Sequence, residues 1–101
     1  MTEYYQNRDA VVRFDVFVDG DPVTPISASV LSYDPDKEYI SKDGASIKGS
    51  EVRYILKGNK VEKVGKYTFI FKVKIRELGD YTHVVNAEVK KLPVPDKEKA
   101  R

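Results

Sequence analysis

The sequence predicts an all-β protein, with a sandwich of about seven antiparallel strands preferred over a barrel. Three observations carry this expectation. Apolar and polar residues alternate with a period of two over most of the chain, while helical periodicity is hard to find. Turn-forming clusters rich in Gly, Pro, Asp and Asn recur at roughly 8–12-residue spacing. Between them lie many β-branched and aromatic side chains, which suit a pleated surface.

The first strand is "AVVRFDVFVDG", with Val12, Phe14, Val16 and Val18 on one face and Val11, Arg13, Asp15 and Phe17 on the other. "DGDP" ends it, since Asp-Gly favours positive φ and Pro22 has no amide to give a ladder. A second strand runs through "PISASVLSYDP", where Ile26, Ala28 and Val30 alternate with Ser27 and Ser29. Asp34-Pro35-Asp36 breaks it as a turn. The short segment "KEYISK" closes at a second Gly-bearing turn, "DGAS". "EVRYILK" places Val52, Tyr54 and Leu56 inward and leads to the polar turn "KGNK".

The longest strand is "VGKYTFIFKVKI", with Tyr67, Phe69, Phe71, Val73 and Ile75 on one face and Lys66, Thr68, Ile70, Lys72 and Lys74 on the other. "ELGD" joins it as a hairpin to "YTHVVNAEVKK", which puts Tyr81, His83, Val85, Ala87 and Val89 on one side. The two prolines and charge cluster that follow read as an extended or disordered tail. Residues 1–92 thus make one sandwich domain and residues 93–101 a tail.

A chain of 101 residues is of single-domain size and long enough for one core without staples. Eighteen basic and sixteen acidic residues leave a net charge of +2, far less positive than nucleic-acid binders of this size. There is no cysteine, so neither a disulfide framework nor a thiolate metal site is available, and the redox compartment stays open. "MTEYYQNRDA" has neither the basic nor the apolar region of a signal peptide. No apolar run is long enough for a transmembrane helix, so no membrane partner is expected.

Catalytic and ligand chemistry finds little purchase. His83 is the only histidine, shares its face with apolar residues, and has no neighbour in sequence to orient it as a base. Asp34, Asp36 and Glu38 alternate as calcium ligands do, but Pro35 and the short ligand series favour a plain turn. Asp19 and Asp21 are ordinary hairpin residues. Phosphate-cradling glycine motifs are missing. No enzyme activity, cofactor or metal is therefore expected. Lys66, Lys72, Lys74 and Arg76 form a basic row, read as a solvated back because no aromatic interleaves on that face of the strand.

An apolar surplus remains in Tyr4, Tyr5, Val11, Phe17, Leu31, Tyr33 and Tyr39, which fall on the outward parity or in loops. They either serve protein contacts, where tyrosine is favoured, or cover the open ends and mixed face of the sandwich. Gly65-x-Tyr67-x-Phe69 has the spacing of the tyrosine corner of immunoglobulin-like domains, with Phe69 in the core place of the second antibody cysteine. The plainer alternative is a core aromatic whose hydroxyl reaches solvent.

Taken together, "RDAVVRFDVFVDGDPVTPISASVLSYDPDKEYI", "EVRYILKG" and "VGKYTFIFKVKI" resemble the small immunoglobulin-like domains of tailed bacteriophage virions. The layout is similar to the N-terminal domain of baseplate upper proteins and to small head or tail accessory proteins, over about residues 8–92. The resemblance implies a single immunoglobulin-like β-sandwich in the virion. It would be a head decoration or head/tail accessory protein that binds capsid or tail proteins or further copies of itself. It implies no nucleic acid and no cofactor. Tyr4, Tyr5 and Phe17 are then the expected contacts, with Pro93 and Pro95 lying along a neighbour. A carbohydrate- or cell-surface-binding adhesion module of similar fold is the alternative, with Tyr33 and Tyr39 as its platform.

Overall fold

The computed structural model describes residues 3–92. The expected tail, with Pro93 and Pro95, lies outside the described residues. Among these residues no α-helix forms, and one 3₁₀ turn spans Gly58–Lys60. The strands are β1 (Tyr4–Tyr5), β2 (Ala10–Asp15), β3 (Phe17–Val18), β4 (Asp21–Pro22) and β5 (Ser27–Tyr33). They continue with β6 (Tyr39–Gly44), β7 (Ser46–Lys48), β8 (Glu51–Leu56), β9 (Gly65–Ile75) and β10 (Gly79–Lys90). A five-stranded sheet, ordered β1-β10-β9-β5-β6, shares a core with a three-stranded sheet, β2-β8-β7, and β3 and β4 form a separate hairpin. The architecture is all-β and sandwich-like. Every pairing is antiparallel except that of β1 with β10.

β9 is the middle strand of the larger sheet, so both its edges are paired and its inward row lies deepest. Tyr67, Phe69, Phe71 and Val73 are fully buried, against Val12, Val52, Tyr54 and Leu56 from the opposite sheet. Phe14 meets Phe71 edge-on at 4.9 Å, and Tyr54 tilts over Phe69 at 6.2 Å. Burying a phenylalanine this way contributes about 1.5–3 kcal/mol. The intervening Lys66, Lys72 and Lys74 stay in water, which fixes the register, because a one-residue slip would exchange the two sets.

Some expected elements are redrawn. The first strand is cut at Val16, whose amide donates to the Ser50 carbonyl while its own carbonyl accepts from Val23, both at 2.9 Å. The chain there leaves the β2 ladder and folds into the β3–β4 hairpin. Asp19 and Gly20 sit at φ 50° and 87°, the signature of a type I′ turn, so "DGDP" ends the strand as expected, with Asp19 and Asp21 in a tight hairpin. "DGAS" is not a turn. The chain runs through Gly44, bonds Ala45 to the Ala28 carbonyl of the larger sheet, and passes into β7 of the smaller one. The reversal falls later, at Gly49 and Ser50, between the paired Lys48 and Glu51. Ile26, expected inward, is 57% exposed, because alternation begins only with β5 and its amide is tied to the Lys74 carbonyl. The last hairpin turns over residues 76–78, shorter than "ELGD" implies.

A corner precedes β9. The buried Tyr67 turns its hydroxyl back onto Lys63, accepting from the amide and donating to the carbonyl, both at 3.0 Å. One side chain thus satisfies both backbone groups of Lys63. Gly65 completes the corner at φ 135°, and a Cβ there would lie 2.8 Å from Pro35. Tyr67→Phe leaves both groups of Lys63 without this partner, and stability should fall by about 1–3 kcal/mol. The expected reading is a lowered urea midpoint with an unchanged slope.

Candidate functional site

The turn at residues 34–38 is organised by one carboxylate. Asp34 Oδ1 accepts the amides of Asp36 and Glu38 at 2.8 and 3.0 Å, an Asx-type turn that Pro35 and the positive φ of Lys37 accommodate. Lys63 Nζ sits between Asp34 Oδ2 and Asp36 Oδ2, at 3.0 and 2.8 Å. The oxygens considered for calcium thus already hold an ammonium group. Among the described residues no group of three or more His, Cys, Asp or Glu is placed to hold a metal. Hydrogen bonding to the Glu38 backbone, then to Lys63, holds Asp34 below the usual carboxylate range. Asp36, then Asp34, keeps Lys63 charged far above the usual lysine range.

Tyr33 and Tyr39, the expected platform, flank this turn as a cross-strand pair of β5 and β6. Their ring centroids are 6.2 Å apart at 70°, an edge-to-face contact rather than a flat shelf. Tyr39 is mostly exposed and leans over a concavity of about 280 Å³ lined by Asp34, Ile40, Lys60 and Lys63.

Both tyrosines belong to the outer face of the five-stranded sheet. Rows across that face run Val84–Ile70–Leu31–Lys42 and Asn86–Thr68–Tyr33–Tyr39. The basic row of β9 crosses them, but Lys66 faces Glu88 and Lys74 faces Asp80 directly across the strands, so β10 balances much of its charge. Aromatics absent from the outer face of β9 itself are therefore supplied by β5 and β6, which no pattern within one strand could show.

Phe17 lies beside the turn of the last hairpin. It is 59% exposed and, with Val18, Ile75, Leu78, Gly79, Asp80 and Tyr81, lines a groove of about 290 Å³. Leu78, at 62% exposure, is its second apolar wall and was not singled out in the sequence, where "ELGD" reads only as turn chemistry.

Tyr4, an expected partner contact, is partly buried and tied into the fold. Its ring packs on the core and its hydroxyl donates to the Val11 carbonyl at 3.1 Å, tying the larger sheet to the smaller. Burial raises its pKa and Arg13 pulls it back. Tyr5 is half-buried and donates to Glu3 Oε2 at 2.8 Å. His83 stacks on Phe14 at 4.1 Å with 28° between rings, the packing role its neighbours imply.

A second polar cluster escaped sequence reasoning because it joins separate strands. Tyr54 of β8 donates to Asp43 of β6 and lies 3.4 Å from the Ser41 hydroxyl. Burial, then Asp43, raises the Tyr54 pKa, and the bond from Tyr54, then Ser41, lowers that of Asp43. The cluster clamps the two sheets together along this side.

No protein-family model, curated protein or solved structure matches this chain.

The lowered pKa of Asp34 gives a stability contribution fully present above about pH 4 and lost as pH falls through its folded value. Asp34→Asn removes this linkage. The gap in urea midpoint between the native chain and the variant should therefore narrow as pH is lowered from 7 to 3, as equilibrium unfolding would show.

Proposed function

We propose that this chain is a non-enzymatic structural protein of a bacteriophage particle, a head decoration or head/tail accessory protein built as an immunoglobulin-like sandwich. The strand order supports the architectural part. β10, β9 and β5 share one sheet and β2, β8 and β7 the other, and Tyr67 opens the penultimate strand with its hydroxyl bonded to backbone upstream. Phe69, fully buried, follows two residues later, where antibody domains carry a cysteine. The virion assignment rests on the layout of residues 8–92.

The observation that carries function through contact is one pair of exposed apolar side chains. Phe17 and Leu78 form the walls of one groove, the kind of exposed patch that marks a protein interface. Its partner in this reading is a capsid or tail protein. Nucleic acid is disfavoured because two members of the basic row face acids across the strands. The sugar-binding alternative is disfavoured by the 70° between the Tyr33 and Tyr39 rings, since stacking on a sugar wants a shared plane.

The deciding experiment is density-gradient separation of particles induced from the culture that encodes the chain, probed with an antibody against it. Banding with the particles is the expected result. Restriction to the soluble fraction, with particles fully formed, would overturn the proposal. Phe17→Asp combined with Leu78→Asp alters mostly exposed side chains, so each should shift stability by less than about 0.5 kcal/mol. Binding of the variant to stripped particles should fall at least about tenfold, the loss of a central apolar contact.

A further inference from the structure

We propose that two copies of this chain associate through the free edge of β10, with residues 79–87 of each pairing antiparallel so that the larger sheets become continuous. The proposal does not rest on the virion reading, and its edge shares only residues 79–81 with the Phe17 groove. Among the described residues β1 covers β10 only at Val89 and Lys90, and no strand pairs with the edge before them.

Hydrogen-bond parity says which groups are bare. The Lys90 carbonyl accepts from the Gln6 amide, so Lys90 directs its backbone away from β9. Antiparallel pairing alternates, so Asp80, Thr82, Val84 and Asn86 also turn amide and carbonyl toward the open edge. Tyr81, His83, Val85 and Ala87 spend theirs on β9.

Other edges carry more guards than this one, whose only ionised side chain is Asp80. β6 has a register shift beside Tyr33 and carries Lys42 and Asp43. β7 is three residues long and ends in Lys48. β2 carries Arg13 and Asp15, and Tyr4 caps its Val11 carbonyl. Residues 79–87 contain no lysine, arginine or proline, and their register with β9 is unbroken. Natural sheets seldom leave so long an edge unprotected unless something pairs with it.

Charge selects the register. Centring the pair on Val84 would set Asp80 against Glu88 of the second copy and run into β1. Centring it on His83 uses residues 79–87 alone, pairing Thr82 with Val84 and Asp80 with Asn86, without like charges opposed. Such an edge is about 30 Å long and would bury about 600 Å² in total, below the usual size of a stable interface. A reversible dimer that forms at high concentration is therefore expected.

The test combines sedimentation with amide hydrogen exchange from about 1 μM to about 1 mM, the range where so small an interface associates. The mass should rise from 11.5 kDa toward twice that value. Over the same range the amides of Thr82, Val84 and Asn86 should slow at least about tenfold as they become hydrogen-bonded, while those of Tyr81, His83 and Val85 stay slow throughout. Val84→Pro removes one edge amide without touching the β9 ladder and should keep the chain monomeric, whereas Val84→Thr should still dimerise. A monomer at every concentration would overturn the proposal. So would association that leaves the three edge amides exchanging as fast as before, because the contact would then lie elsewhere.

Discussion

The burial of one strand from both sides is the constraint on which the rest depends. β9 has a neighbour on each edge and the smaller sheet across its inner face, so its aromatic row has no route to solvent. That row needs a fixed starting point, since a shift by a single residue would drive lysines into the core. Tyr67 supplies it. Its ring is the first buried residue of the row, and its hydroxyl holds the backbone just before the strand. The corner thus sets register, and register decides which residues reach each surface.

The same corner fixes the turn beside it. Gly65 rests on Pro35, Lys63 reaches over to Asp34 and Asp36, and the turn in turn positions Tyr33 and Tyr39. Exposed ion pairs of this kind contribute little to stability on average. The value of Lys63 here lies in geometry: it holds together two loops that backbone bonding alone does not connect.

How legible this was in the sequence depended on range. Period-two alternation identified the inward rows of β8, β9 and β10 residue by residue, because each row lies within one strand. The hydroxyl of Tyr67 could be anticipated from three residues of spacing. What depended on a second strand could not be. Tyr4 looked like a spare surface aromatic until β1 paired with β10 and brought it to the Val11 carbonyl. Gly44 looked like a turn residue because Asp-Gly usually is one, yet tertiary pairing on both sides carried the chain straight through it. The groove at Phe17 was half visible: its own exposure followed from parity, but Leu78 joins it only through folding of the last hairpin.

β1 and β10 also have a mechanical meaning. They are the strands nearest the two ends of the described chain, and they run parallel. Tension pulling those ends apart would slide one strand past the other, straining their few bonds together instead of unzipping them singly. The bond from Gln6 to Lys90 and the anchor of Tyr4 on Val11 would stretch in concert. Once they part, the segment before β2 loses its tie to the larger sheet, so resistance to stretching is concentrated at one small latch between the sheets.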